Sequence, residues 1–529
     1  MKHFLYALLS GILLALAWPT GGAVILLFFA FVPLLLVEYR LRISKSAGMK
    51  WKLFGLAYLS FLIWNAYTTY WLYFSTPFGG IFAVTVNSLL MTLVFMLYHV
   101  VAKRTDFRNA SVFLVAIWMC FEYLHLNWEF SWPWLNLGNA FSENISWIQW
   151  YEYTGTFGGT LWVWVVNLTF FRMLLLFSQH REKGILLRGA AKAVLLVAVP
   201  VIISLLILRN YSESEESIEV VVLQPNINPY TDKYNVTDTR IGQLLTSLAD
   251  DAVTDETRAV IAPETVFAEF KDYKNFDNSA ASFFTRQFVK NHPQLSFISG
   301  IAMVDRFSDP SLVTSQSNQI GPNDWYNDYN SAFMVNSSDS VAFYHKSKLV
   351  VGVENFPYQS VLKPILGNVM IDLGGTVAMK TMQEDRSVFT LNKGAQVAPI
   401  ICYESVYGEY VTGYVKNGAN FLAIITNDAW WGNSQGHKQH LSYAKLRAVE
   451  NRRAIARSAN TGISAFINEK GKVVSSLGYE EQGTLRGQVS LNEELTFYTQ
   501  HGDYLARIAQ FLALFIFLFA IIKHKRQRK

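Results

Sequence analysis

Val397-Ala398-Pro399-Ile400-Ile401-Cys402-Tyr403-Glu404 is an apolar run that ends in a cysteine and then turns polar. Such a run predicts a buried strand with Cys402 at its carboxyl end. Similar short β-branched runs lie at 218–223, 259–261, 297–301, 331–335, 341–344 and 420–425. Between them, 239–249, 282–290 and 440–457 carry apolar residues at helical spacing. Strands alternating with helices predict a layered α/β domain. Residues 308–328 are polar, with Pro310, Gly321 and Pro322, and predict a surface loop.

Two further stretches in this domain can carry chemistry. Pro263-Glu264-Thr265 closes the strand at 259–261, placing a carboxylate at the sheet edge where α/β folds hold their ligands. Tyr344-His345-Lys346-Ser347-Lys348 follows another strand, and alternation leaves Lys346 and Lys348 equivalent. Each site has a plain structural reading: a capping glutamate, lysines guarding an edge strand, a cysteine filling a core. Together they make a nucleophile with its helpers. A thiol needs a base to take its proton or a cation to hold its thiolate. Glutamate supplies the first and lysine the second, and the ammonium can also stabilise an oxyanion.

Outward from this domain the composition changes. Of 529 residues, 51% are hydrophobic and only 16% are charged, against about 25% in soluble chains. A net charge of +5 over this length excludes a nucleic-acid-binding surface, and two cysteines exclude a disulfide scaffold or paired-cysteine zinc module. The apolar residues concentrate in 1–208 and 504–522. A bilayer core needs roughly 20 apolar residues per helix. Eight spans are expected, at 3–18, 22–39, 53–75, 80–102, 110–127, 158–178, 190–208 and 504–522. Ala15-Leu16-Ala17 resembles a signal-peptide cleavage site, but Pro19 and a second apolar span follow at once, so an uncleaved span is expected.

Basic residues fall in alternate loops: Arg40 to Lys52, then Lys103, Arg104 and Arg108, then Arg181, Lys183, Arg188 and Lys192, then the tail 523–529. The loops 19–22, 75–79 and 126–156 contain no lysine or arginine. The positive-inside rule then puts both termini in the cytoplasm and the polar domain on the opposite face. The expected organisation is a membrane domain at 1–208 with seven spans, a catalytic domain at 209–503, and an eighth span with a basic tail at 504–529.

The order Glu264, Lys346, Cys402 resembles the nitrilase superfamily. The whole chain resembles one of its branches, the bacterial apolipoprotein N-acyltransferases. The resemblance is carried by Leu223-Gln224-Pro225-Asn226-Ile227, Ala262-Pro263-Glu264-Thr265, Tyr344-x-Lys346 with Leu349-Val350, Ile401-Cys402-Tyr403-Glu404, and Asn427-Asp428-Ala429-Trp430-Trp431-Gly432. Arg447-Ala448-Val449-Glu450, Arg457-Ser458-Ala459-Asn460-Thr461-Gly462 and Trp132-Pro133-Trp134-Leu135 extend it. Departures are Pro225 for a glycine, Val351-Gly352-Val353 for Pro-Phe-Gly, and Tyr230 and Tyr234 where the family often has a tryptophan.

The resemblance implies a multi-span helical membrane domain joined to an extracytoplasmic nitrilase-like α-β-β-α sandwich. Its spacing selects Lys346 over Lys348. It implies Glu264, Lys346 and Cys402 as catalytic residues, with Glu354, Tyr403 and Glu404 supporting them near the nucleophile. The implied reaction moves an acyl chain from a phospholipid, usually phosphatidylethanolamine, through a Cys402 thioester to the α-amino group of a diacylglyceryl-cysteine apolipoprotein. It implies no metal or cofactor, and a monomer in the bacterial inner membrane is expected. The apolar connection 351–382 reads as a buried lid helix or a lipid-facing arm. An anchored small-molecule amidase would need one span rather than eight, and a non-catalytic transporter or scaffold would leave the Glu-Lys-Cys order unused.

Overall fold

The strand Gln396–Ile401 lies parallel to Phe421–Thr426, pairing Ile401 with Ile425, and Phe421–Thr426 lies parallel to Ile455–Ala459. All three are buried almost end to end, as expected of parallel strands covered on both faces. Parallel register brings their carboxyl ends to one edge, so Cys402, Asn427 and Asn460 follow three neighbouring strands. The computed structural model describes residues 1–44, 48–228, 235–338, 340–359, 361, 379–392 and 394–528, with side chains described as far as 523.

Residues 212–500 form one unit. Its first sheet runs in the order Gly483–Ser490, Ser217–Gln224, Thr257–Ile261, Ser296–Phe307, Asp324–Val335 and Asn318–Gly321. Phe267–Asp272 pairs with Ser296–Phe307, and Ala342–His345 with Asp324–Val335. The second sheet runs Val473–Leu477, Ser464–Ile467, Ile455–Ala459, Phe421–Thr426, Gln396–Ile401 and Phe389–Thr390. Val221, Leu223, Val260 and Phe297 pack under the helices Asp238–Asp250 and Ala280–Asn291. Val220, Val222, Ala259 and Ile261 alternate with them and are equally buried, so they face the second sheet. Ser458 Oγ reaches across to donate to Leu223 O at 2.8 Å. Gly408–Lys416 and Gln435–Asn451 are the helices of the second sheet's outer layer. The result is the layered α/β domain expected from the strand and helix pattern, in the α-β-β-α sandwich form that the family resemblance implies.

Two local expectations are corrected. The 308–328 stretch is not simply a loop: Asn318–Gly321 and the start of Asp324–Val335 form a hairpin with Gly321 opposite Asp324. Its ladder is made by backbone groups, which a polar composition does not forbid. The helix expected at 440–457 ends at Asn451, where Arg452 turns left-handed (φ 49°), and the chain leaves as the buried strand Ile455–Ala459. Most of the apolar connection 351–382, and Tyr230 with Tyr234, lie outside the described residues.

Residues 1–73, 77–211 and 501–529 form the other unit. Among the described residues, six of its helical stretches are long and apolar enough to cross a bilayer: Val24–Ser44, Pro77–Ala102, Phe107–Asn127, Thr156–His180, Lys183–Asn210 and Tyr504–Lys523. The other two expected spans are helical as well, as Lys2–Leu16, of 15 residues, and Met49–Thr69. The expected 53–75 ends as a helix at Thr69, and a separate turn, Leu72–Ser75, follows. The expected 22–39 divides into a tight turn, Val24–Phe28, and the helix Val32–Ser44, with Pro33 in its first turn where a missing N–H is harmless. The 126–156 connection is packed rather than open. Trp134, Leu137 and Phe141 are buried, and Glu122 receives Leu137 N (2.8 Å), Thr160 Oγ1 (2.6 Å) and Trp118 Nε1 (3.1 Å).

Candidate active site

Glu264 stands on a tight turn that the neighbouring strand permits. Gly300 N donates to Pro263 O at 3.1 Å, and a Cβ on Gly300 would meet Thr265 N at 2.4 Å and Glu264 Cα at 2.6 Å. Only glycine allows that approach. Lys346 follows Ala342–His345, and its backbone N–H donates to Asn330 O at 2.8 Å. Cys402 follows Gln396–Ile401 with φ 50°, a left-handed conformation that L-residues avoid unless held.

The ends of the two sheets meet in a buried charge cluster. Lys346 Nζ donates to Glu264 Oε1 at 2.9 Å and to the Glu354 carboxylate at 3.0 Å. Asn330 Nδ2 donates to the same two carboxylates, at 2.8 Å and 2.9 Å. Asn427 N donates to Glu264 Oε2 at 3.1 Å, and Val350 N to Glu354 Oε2 at 2.9 Å. Lys346 is 1% exposed, so its charge rests on these partners. Burial alone would strip its proton, but Glu264 and Glu354 outweigh burial and hold its pKa well above the ordinary lysine value. Burial likewise works against the Glu354 carboxylate, and Lys346 with the Val350 N–H brings it below the usual value. Burial pushes the Cys402 thiol far up; Glu264 adds to that and Lys346 opposes it. At rest, then, Lys346 keeps its ammonium, Glu354 its carboxylate and Cys402 its thiol proton.

Glu404 forms a separate hub. It accepts from Ser347 N (2.7 Å), Tyr344 Oη (2.6 Å) and Ile401 N (2.8 Å), linking the segment that carries Lys346 to the strand that carries Cys402. Burial raises its pKa, and the Tyr344 hydroxyl and backbone donors offset part of that rise. Tyr403 packs edge-to-face on Tyr407 with ring centres 5.2 Å apart. The structure thus joins Glu264, Lys346 and Glu354 directly and places Glu404 as a brace between two of the segments. Asn330, absent from the sequence expectation, touches both carboxylates, as Lys346 does. Its place depends on the pairing of Ser331 with His345, a register that spacing along one strand does not reveal.

Residues 10–169 match the apolipoprotein N-acyltransferase N-terminal domain, and residues 214–494 match the carbon-nitrogen hydrolase family. The apolipoprotein N-acyltransferase of Chlorobaculum tepidum is 30% identical, over 99% of this chain and 97% of that protein. That of Geobacter metallireducens is 27% identical, over 96% and 92%. Among solved structures, an amidase from Nesterenkonia sp. AN1 covers 55% of this chain and 98% of its own, at 16% identity and a TM-score of 0.37. Alike along nearly its whole length to proteins named apolipoprotein N-acyltransferase, and matched by that family's N-terminal domain and by the carbon-nitrogen hydrolase domain, the chain belongs to the apolipoprotein N-acyltransferase family.

Proposed function

We propose that this protein transfers an acyl chain from a phospholipid to the α-amino group of a diacylglyceryl-cysteine apolipoprotein, through a thioester on Cys402. The observation that carries this reading is Lys346 Nζ, buried and bonded to both Glu264 and Glu354 at a site whose charges act on the Cys402 thiol. Family membership supports the choice of substrates.

The residues divide the work in two half-reactions. Glu264 accepts the Cys402 proton as sulfur attacks the acyl ester carbonyl. The C–S bond forms, the ester C–O bond breaks, and the departing lysophospholipid oxygen takes the proton from Glu264. The amine then attacks the thioester: a C–N bond forms, the C–S bond breaks, and the amine proton passes by way of Glu264 to the Cys402 sulfur. Lys346 stabilises the oxyanion in both steps, in a site too buried for water to do so. Glu354 and Asn330 keep Lys346 charged and placed. Glu404 and Tyr403 support the turn after Cys402.

Phosphatidylethanolamine is the proposed donor. The catalytic unit stands on the extracytoplasmic face of the inner membrane, an orientation supported by the alternation of basic and non-basic loops. The proposed domain limits are 1–208, 209–503 and 504–529, and the working form is a monomer. Intact-mass measurement of purified protein mixed with phospholipid tests the reading: one acyl mass on Cys402 is expected.

A further inference from the structure

Asp428, His440, Arg447 and Arg457 belong to stretches that the chemistry above leaves without a role. All four are fully or almost fully buried. Asp428 follows Phe421–Thr426, Arg457 lies on the adjacent strand opposite Ile424, and His440 and Arg447 stand on the helix Gln435–Asn451. Seven residues are about two helical turns, so His440 and Arg447 share one face.

That face grips both ends of one turn. His440 Nε2 lies 3.2 Å from Cys402 O, and Arg447 Nη1 donates to Val406 O at 2.9 Å. Cys402–Val406 is the turn that carries the nucleophile. Ser405 Oγ also donates to Cys402 O, at 2.8 Å, and lies 3.0 Å from His440 Nε2. The single hydroxyl proton is committed to the carbonyl, so Nε2 carries the other proton and donates. On its far side His440 Nδ1 lies 3.0 Å from Asp428 Oδ1 and 3.1 Å from Arg457 Nη2. Asp428 is itself held by Thr426 Oγ1 at 2.7 Å and Arg457 Nη2 at 2.6 Å. Gly462 closes the space, since a Cβ there would meet Asp428 Oδ2 at 2.5 Å.

Ligand atoms of Cys402, Asp428 and His440 lie within 4.8 Å of one another, which is also metal-site spacing. The Arg457 guanidinium argues against a metal, because it contacts both Asp428 and His440 and would repel a cation. The carbonyl of Cys402 has a clearer need for the histidine. Its residue sits at φ 50° with a side chain, and the direction of Sγ follows from that backbone.

We propose that His440, whose Nδ1 accepts from the Arg457 guanidinium that Asp428 anchors, is a positioning residue for the nucleophile. Its Nε2–H fixes the Cys402 carbonyl and so keeps the left-handed turn that aims Sγ at the reacting carbonyl. Arg447 fixes the opposite end of the turn. The kinetic part of the test rests on the acyl-transfer reading above; a second readout is independent of it.

The test uses full-length protein in detergent, as wild type, His440→Leu and His440→Gln. The glutamine amide can replace the Nε2–H donor, and leucine cannot. The first readout is the single-turnover rate of the acyl adduct on Cys402 over a range of phosphatidylethanolamine concentrations. The second is the rate of Cys402 alkylation by iodoacetamide, which needs no lipid. His440→Leu should slow adduct formation about a hundredfold at saturating lipid, as a small misplacement of a reacting group does, with the half-saturating concentration unchanged. His440→Gln should recover about tenfold of that loss, and alkylation should follow the same order. A leucine variant within about twofold of wild type, or a glutamine variant as slow as leucine, would overturn the proposal. If wild type forms no adduct, acyl transfer fails, and the alkylation series alone still decides the role of His440. If His440→Leu does not fold, Asp428→Asn replaces it; an alkylation rate equal to wild type there overturns the proposal.

Discussion

Lys346 Nζ lies 2.9 Å from Glu264 Oε1, and both side chains are buried. A lysine so placed is charged only because carboxylates surround it, and a carboxylate so placed is tolerated only because the lysine is charged. The pair has a consequence for the nucleophile. Burial pushes the Cys402 pKa up, Glu264 adds to that and Lys346 opposes it, so the resting thiol keeps its proton until the transition state calls for the thiolate.

The two lysines should part company. Lys346→Ala should raise the barrier to Cys402 acylation by roughly 3 kcal/mol or more, the scale of an oxyanion-donor deletion. It should also lower the thermal unfolding midpoint, because Glu264 and Glu354 are left without their cation. Lys348 lies over the Tyr407 and Tyr410 rings, at 4.8 Å and 5.6 Å, so Lys348→Ala should keep most activity. Single-turnover kinetics on both variants checks this, and a reversed order would contradict it.

Cys402 should be slow to alkylate in the resting protein. Burial and Glu264 raise its pKa, so the thiolate fraction at neutral pH is small and grows as pH rises. Iodoacetamide labelling of Cys402, followed by peptide mass, should still be climbing at pH about 9, above the free-thiol value of about 8.5. A plateau near pH 7 would mean a stable thiolate and a different resting charge state.

Acid should loosen the catalytic unit through particular carboxylates. Asp428 is buried, yet Arg457 and His440 hold its pKa well below the usual range, and Glu354 is also lowered. A lowered folded-state pKa adds stability above the unfolded value, about 4, and that stability is lost as pH falls through the folded value. Glu404, raised by burial, acts in the opposite sense. Thermal unfolding followed by tryptophan fluorescence should therefore weaken below pH about 4, less steeply in Asp428→Asn. Equal slopes in the two proteins would contradict the assignment.

Orientation can be read with reporter fusions. Fusions after Arg108 and after Lys192 should report cytoplasm, and fusions within 210–217 the opposite face. A cytoplasmic signal from 210–217 would reverse the topology and remove access to an extracytoplasmic acceptor.

Much of this was legible in the sequence for a physical reason. Parallel buried strands are continuous apolar runs, and each run marks where its carboxyl end falls; the runs 259–261 and 397–401 thus announced Glu264 and Cys402. What stayed hidden needs contacts between strands or layers. Asn330 reaches the carboxylates only through its register with the lysine strand. The role of Glu404 depends on Ser347 and Ile401, from two different sheets, presenting N–H groups to one side chain. The 318–321 hairpin escaped because polar residues describe loops and exposed ladders alike. The end of the helix at Asn451 escaped because apolar residues continue beyond it into a strand.

The central claim is that Cys402 carries the acyl group between two substrates. Wild-type protein given phospholipid alone should release about one equivalent of lysophospholipid and then stop, with one acyl mass on Cys402, the signature of a ping-pong enzyme. Addition of a diacylated lipopeptide should discharge that mass and yield N-acylated peptide, while Cys402→Ser should fold but complete no transfer. Continuous phospholipid hydrolysis without an acceptor, or an adduct that the lipopeptide cannot discharge, would contradict it.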